Sequence, residues 1–208
     1  MSKILLINSS PHEDGCTYTA LVELQSELKK NDVESEIVWL GKKPIADCIS
    51  CGFCRKHGHC MYKDVVNDVA ERLDEFDGIV AGSPVYYGGS TGRIRSFLDR
   101  LCFSAPAEKL AGKLAASVVS CRRGGASEAF AQLNMYFLML NMVVVGSQYW
   151  NQVHGNTPDE VKQDEEGLQT MRTLAKNMAW LLKSIEAGKA AGIEKPTYEP
   201  PMRTSFIR

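Results

Sequence analysis

Long apolar runs are absent from this sequence of 208 residues. A membrane-spanning helix needs about 20 consecutive apolar residues, and no stretch of the sequence approaches that length. The first apolar run, residues 4–7, is also too short for the apolar core of a secretion signal. We therefore expect a protein that does not contact a membrane and that lies in the cytoplasm.

An excess of charge of one sign is also missing. The sequence has 24 lysines and arginines and 25 aspartates and glutamates, which gives a formal net charge of -1 at pH 7. A protein that binds nucleic acid or an anionic surface through its overall field carries a basic excess. We therefore expect no nucleic-acid partner. The 44% of hydrophobic residues are enough for the core of one domain of this length.

Apolar segments typical of buried strands alternate five times with amphipathic helical segments. This pattern predicts an α/β fold, a doubly wound five-stranded parallel sheet of order 2-1-3-4-5 with helices on both faces. We expect one domain over residues 1–187, including a cysteine-rich loop at 45–62, followed by an extended tail at 188–208. The strands are predicted at residues 4–7, 35–40, 78–81, 114–120 and 142–145, and the helices at 17–30, 64–76, 90–102, 127–141 and 159–187.

Three loops follow strands that the predicted order makes neighbours, so they should meet at one edge of the sheet. The first, residues 9–17, lacks the G-K-S/T and G-x-G-x-x-G signatures of common nucleotide loops. Its hydroxyls and the N–H groups at the following helix start suit a monophosphate, although an ordinary capped turn has the same residues. The second, residues 83–91, offers tyrosines and glycines to a flat polar ring or forms a plain surface turn. The third, residues 120–125, would reach the same crevice.

Four cysteines lie within thirteen residues in the spacing C-x2-C-x2-C-x5-C. Three interpretations remain open from the residues. The thiolates could hold an iron–sulfur cluster, they could hold zinc, although zinc sites usually pair two C-x2-C units, or they could be reduced thiols. Because this segment follows the second strand, we expect it on the edge of the sheet where the three loops meet. The cysteines are Cys48, Cys51, Cys54 and Cys60.

The loops resemble those of a known family. Residues 9–11 with 15–17 are similar to the phosphate loop of flavodoxin-like, NADPH-dependent FMN reductases. Residues 83–88 resemble the family's S-P-x-Y-x-G loop, and residues 97–100 its F-x-D-R helix. The chain departs from the family pattern at Ser9, where glycine is usual, and at Cys16, where asparagine is usual.

The resemblance implies bound FMN, with redox chemistry carried by the flavin and no catalytic side chain. The first loop would bind the phosphate, the second would line the isoalloxazine ring, and the third would also approach the ring. The residues implied are Ser10, Cys16 and Thr17 for the phosphate, and Pro84, Val85, Tyr86, Tyr87, Gly88, Ser120 and Gly124 for the ring. Cys16, at a helix start, is expected to have a lowered pKa.

The cysteine spacing closely resembles that of iron–sulfur flavoproteins, a branch of the same group. The branch implies a [4Fe-4S] cluster on Cys48, Cys51, Cys54 and Cys60 that passes electrons to FMN across a subunit contact, and hence a homodimer or homotetramer. We expect an FMN-dependent oxidoreductase that takes electrons from NAD(P)H or a reduced ferredoxin-type carrier. Its acceptor would be a quinone, flavin, nitro compound or oxygen. The alternative is an electron-transfer flavoprotein without a small-molecule substrate.

Overall fold

The computed structural model describes residues 2–200 together with 202, 204 and 206. Its strands are β1 (Lys3–Asn8), β2 (Glu34–Trp39), β3 (Gly78–Tyr86), β4 (Gly89–Ser90), β5 (Leu114–Cys121), β6 (Val143–Val144) and β7 (Gln152–His154). Its α-helices are α1 (Cys16–Lys30), α2 (Phe53–His57), α3 (Val65–Glu71), α4 (Gly92–Ser104), α5 (Ala126–Met139), α6 (Pro158–Val161) and α7 (Glu165–Ala190). Short 3-10 helices occur at Leu73–Glu75 and Ala107–Lys109.

The central sheet has the order β2-β1-β3-β5-β6, and all neighbours along this path are parallel. This is the predicted 2-1-3-4-5 order, because β4 is a short antiparallel partner of β3 and does not extend the path. The strand β7 pairs in parallel with the carboxyl end of β5. The predicted doubly wound sheet is therefore confirmed, with the switch point between β1 and β3.

The sheet separates two hydrophobic clusters. Leu5 and Ile7 of β1 belong to the cluster covered by α3, α4 and α5, whereas Ile4 and Leu6 belong to the cluster covered by α1 and α7. Successive side chains of a strand point to opposite faces. The continuous apolar run of β1 follows from this arrangement, since both of its faces are buried.

Three elements differ from the sequence prediction. The last strand of the path is Val143–Val144 alone. The predicted final helix is divided, because Asp164 accepts a hydrogen bond from the Gly167 N–H at 3.0 Å and starts a new helix, α7. The predicted helix at 64–76 ends at Glu71 and continues as a 3-10 turn. In the described part of the chain, no helix has the length and apolar character needed to cross a bilayer.

Candidate functional site

The three loops predicted to meet do so at the carboxyl ends of β1, β3 and β5. Ser9 donates from both its N–H and its hydroxyl to the carbonyl of Gly82, at 3.0 and 2.8 Å. The hydroxyls of Thr17 and Ser120 are hydrogen-bonded at 2.8 Å. The first loop is therefore joined to the end of β3 by two hydrogen bonds and to the third loop by one.

The first loop leads into a helix start that can receive an anion. Gly15 is the N-cap of α1, and as a glycine it offers no side chain to cap the first N–H groups of this helix. The first turn also contains no acidic residue. Unpaired N–H groups and the positive end of the helix dipole favour a phosphate at such a position. Ser10 lies beside it, where its hydroxyl oxygen accepts from the His12 N–H at 3.1 Å.

Two predicted phosphate ligands have surroundings that the sequence did not indicate. Thr17 is fully buried, and its hydroxyl already bonds to Ser120. The thiol of Cys16 donates to the carbonyl of Gly155 at 3.6 Å, and burial raises the pKa of this thiol. The expectation of a lowered pKa for Cys16 is therefore wrong, because loss of hydration outweighs the favourable position at the helix start.

The second loop is a tight hairpin between β3 and β4. Tyr87 and Gly88 form its turn with φ angles of +51° and +79°, and paired positive values are typical of two-residue hairpins. A tyrosine in this left-handed region is uncommon. Tyr86 is half exposed and Tyr87 is fully exposed, so both aromatic side chains face solvent at the edge of the crevice. Pro84 and Val85 are partly buried behind them.

The third loop touches the hairpin closely at Gly125. This residue has a φ of +86°, and a Cβ there would lie 2.8 Å from the Cα of Gly88 and 3.0 Å from a methyl of Val85. Glycine is therefore required both for the backbone conformation and for the close approach of the two loops. Gly124, the predicted ring contact, is exposed beside this contact.

A second cluster of candidate residues is the cysteine pocket. It is lined by Cys48, Cys51, Cys54 and Cys60 together with Asp47, Ile49, Gly52, Met61, Tyr62, Arg100, Phe103 and Ser104. Cys51 is exposed and the other three cysteines are half-buried. The structure thus brings the four predicted ligands to one place.

Arg100 places a buried positive charge against this pocket. Its side chain is fully buried, and its guanidinium donates to both carboxylate oxygens of Asp64, at 2.6 and 2.9 Å. Its Nε also donates to Cys60 Sγ at 3.2 Å. The sequence identified Arg100 only as part of a family motif, and nothing in it indicated the contact with Cys60.

The four cysteines can be compared with the ligand arrangements of two kinds of metal centre. A zinc ion holds its sulfurs at about 2.3 Å, so its ligands converge on one point. Within the described residues, no three His, Cys, Asp or Glu side chains converge in this way. A [4Fe-4S] cluster takes each cysteine on a different iron, so its ligands surround a volume. Four cysteines around one pocket, with a buried arginine beside one thiol, fit such a cluster.

The pocket lies farther from the three loops than expected. The chain between β2 and α3 runs along α4, with Arg93 donating to the carbonyl of Lys42 near the helix start and Arg100 donating to the carbonyl of Ala46 farther along. Cys54 Sγ contacts the carbonyl of Phe103 at 3.8 Å, in the last turn. At 1.5 Å per residue, Gly92 and Ser104 are roughly 18 Å apart along the helix. The expectation that the cysteine segment lies beside the three loops is therefore wrong, because the pocket lies towards the other end of α4.

The sheet order, the switch point and the open helix start define a flavodoxin-like α/β protein. The family described as NADPH-dependent FMN reductase matches residues 2–157, and the chain belongs to this family. The chain is also 31% identical to an iron–sulfur flavoprotein of Methanocaldococcus jannaschii over 191 residues, which cover 88% of this chain and 99% of the relative.

Solved structures support the fold. A RosB structure with bound 8-demethyl-8-formylriboflavin-5'-phosphate superposes with a TM-score of 0.70 at 15% identity, covering 100% of this chain and 96% of RosB. A WrbA-like flavodoxin from Agrobacterium tumefaciens superposes with a TM-score of 0.63 at 15% identity, covering 88% of this chain and 99% of that protein. The predicted flavodoxin-like fold and family, including the iron–sulfur flavoprotein branch, are confirmed.

Proposed function

We propose that this protein is an FMN-dependent oxidoreductase that takes electrons from NAD(P)H or a ferredoxin-type carrier. The observation that carries the proposal is the open start of α1 at the switch point of a flavodoxin-like sheet. The N–H groups of Cys16 and Thr17 and the hydroxyl of Ser10 would bind the FMN phosphate. Bound FMN would supply the one- and two-electron redox chemistry, so no side-chain nucleophile is required.

The second and third loops would hold the flavin ring. Pro84, Val85, Tyr86, Tyr87 and Gly88 offer backbone groups and aromatic surface on one side of the crevice. Ser120 and Gly124 would approach from the other side. The contact between Gly125 and Gly88 fixes the separation of the two loops, which supports a site that is largely formed before the ligand binds.

We further propose that Cys48, Cys51, Cys54 and Cys60 hold a [4Fe-4S] cluster. Two observations support this: the four thiols line one pocket, and a relative that aligns over 99% of its own length is named an iron–sulfur flavoprotein. The Arg100 guanidinium would offset part of the negative charge of a cysteine-ligated cluster through its contact with Cys60. An assay that finds no iron in the protein would contradict this proposal. Reduced thiols or a zinc site would then be the remaining interpretations of the four cysteines.

We also propose a homodimer or homotetramer, and the separation of the two sites along α4 supports this proposal. The pocket and the flavin loops lie at opposite ends of α4, so a pocket of one protomer would serve the flavin of another. The apolar side chains of Met135, Leu138 and Met139 are exposed on α5 and offer a surface for such a contact. Small acceptors such as a quinone, a flavin, a nitro compound or oxygen would take the electrons. The alternative function is electron transfer without a small-molecule substrate.

We assign residues 1–187 to the flavin-binding domain, including the cysteine loop at 45–62, and residues 188–208 to a tail. In the structure α7 extends to Ala190, and residues 194–200 form neither helix nor strand. Residues 1, 201, 203, 205, 207 and 208 lie outside the described part. The seven free cysteines agree with a reducing compartment such as the cytoplasm.

The test is a comparison of FMN with riboflavin on protein purified without oxygen. We expect FMN to bind at least tenfold more tightly, because only FMN carries the phosphate for the α1 start. An absorption spectrum with an iron assay then reports the cluster, and steady oxidation of NADH or NADPH with a quinone present reports the enzyme. Protein that binds no FMN contradicts the proposal, and FMN-loaded protein that accepts ferredoxin electrons but ignores both nicotinamides supports the alternative.

A further inference from the structure

The last turns of α4 form one wall of the cysteine pocket. Arg100 and Ser104 both line it, and residues four apart lie on the same face of a helix. Arg100 already donates to Cys60 Sγ. This face of α4 therefore presents hydrogen-bond donors, rather than only apolar surface, to whatever occupies the pocket.

The hydroxyl of Ser104 is buried and has no hydrogen-bond partner in the described part of the chain. A serine or threonine inside a helix often donates to the carbonyl four residues earlier. This protein makes that bond elsewhere: Ser184 donates to the carbonyl of Trp180 at 2.8 Å, and Thr170 to the carbonyl of Glu166 at 2.9 Å. Ser104 does not make it, although its position in the last turn of α4 would allow it.

A buried hydroxyl without a partner is costly and is uncommon in folded proteins. The cost disappears if the hydroxyl donates to a group that occupies the pocket. The sulfurs of an iron–sulfur cluster accept hydrogen bonds, and these bonds are among the factors that set the cluster's reduction potential.

We propose that the Ser104 hydroxyl donates a hydrogen bond to a sulfur of the [4Fe-4S] cluster and raises its reduction potential. This inference rests on the cluster proposed above. One-electron reduction adds one negative charge to the cluster, so a donor stabilises the reduced form more than the oxidised form. Ser104 is a positioning residue in this role, since it ligates no iron.

The experiment compares Ser104→Ala with wild-type protein in an anaerobic redox titration followed by electron paramagnetic resonance. We expect unchanged iron, sulfide and FMN contents and a reduction equilibrium constant about fivefold smaller. That change lowers the midpoint potential by about 40 mV, at about 59 mV per tenfold for one electron. The flavin potential, measured in the same titration, should not change.

Two further variants make the result specific. Ser104→Thr keeps the hydroxyl and should keep the potential near that of the wild type. Ser96→Ala removes a hydroxyl from the same helix outside the pocket lining and should have no effect. An unchanged cluster potential in Ser104→Ala, or an equal decrease in Ser104→Thr, overturns the inference and leaves the cluster standing. Wild-type protein without iron overturns the cluster itself, while FMN binding still tests the flavin site.

Discussion

Breaking the ion pair between Arg100 and Asp64 is expected to destabilise the protein strongly. The Arg100 side chain is fully buried, and the Asp64 side chain is 31% exposed. Removing one partner of a buried pair costs about 3–5 kcal/mol, because the other charge remains buried and unpaired. Since water reaches Asp64, we expect the lower end, about 3 kcal/mol, for Asp64→Asn.

A second variant at the same position separates the charge from the helix cap. Asp64 also accepts from the Val66 N–H at 3.1 Å and caps α3. Asparagine caps a helix about as well as aspartate, whereas alanine loses about 1 kcal/mol. We therefore expect Asp64→Ala to lose about 4 kcal/mol in total, which is about 1 kcal/mol more than Asp64→Asn.

Urea unfolding at a fixed excess of FMN measures the loss of stability in Asp64→Asn and in Asp64→Ala. With a slope of about 2 kcal/mol per molar urea, a loss of 3 kcal/mol lowers the unfolding midpoint by about 1.5 M. Asp74→Asn is the matched control, because Asp74 pairs with Lys109 at 2.6 Å but is 68% exposed, and such surface pairs contribute little to stability. The reasoning is refuted if Asp64→Asn and Asp74→Asn lose the same stability.

Three other changes test separate parts of the structure. Gly125→Ala should weaken FMN binding at least tenfold in a fluorescence titration, because the new Cβ would lie 2.8 Å from the Cα of Gly88. Gly146→Ala is the control, since a Cβ there meets no described atom within 4 Å. Equal FMN affinities of the two variants would contradict the prediction. Arg72 and Lys3 lower the pKa of Glu36 to about 2 from 4.5. The contribution of this carboxylate to the free energy of unfolding is therefore present above pH 4.5 and is lost as the pH falls towards 2. Because Glu36 is partly exposed, we expect Glu36→Gln to lower the free energy of unfolding by only about 1–2 kcal/mol at pH 7, and by less at pH 3, in urea unfolding. An equal loss at both pH values would contradict the lowered pKa of Glu36. Cys54→Ala should lower the iron content and leave FMN binding unchanged, and an iron content equal to that of Cys102→Ala would show that Cys54 is not a ligand.

The sequence was sufficient for the sheet order because its signals are local and strong. The apolar run of β1 must be buried on both faces, and strand–helix alternation with right-handed connections leaves few topologies. The meeting of the first and third loops followed from the order alone. The hydroxyl pair of Thr17 and Ser120 did not, because it depends on two side-chain rotamers about one hundred residues apart in sequence.

The position of the cysteine pocket could not be read from the sequence for a different reason. The chain between β2 and α3 has no strand, and α2 is its only helix within the described residues, so its path depends on tertiary contacts. Arg100 determines much of that path, since it donates to the carbonyls of Ala46 and Tyr62 as well as to Asp64. A loop attached at one edge of the sheet is thereby held against the far end of α4.

The helix α4 therefore connects the two candidate sites and fixes the distance between them. At its start, Thr91 caps the helix and its hydroxyl contacts the hydroxyl of Ser9 in the first loop, at 3.1 Å. At its end, Arg100 and Ser104 line the cysteine pocket. A packed helix of this length cannot shorten, so the proposed cluster and flavin of one protomer would be held apart by α4. The proposed transfer between cluster and flavin would therefore use a contact between protomers, and we expect a monomeric variant to keep both proposed cofactors but to lose rapid transfer.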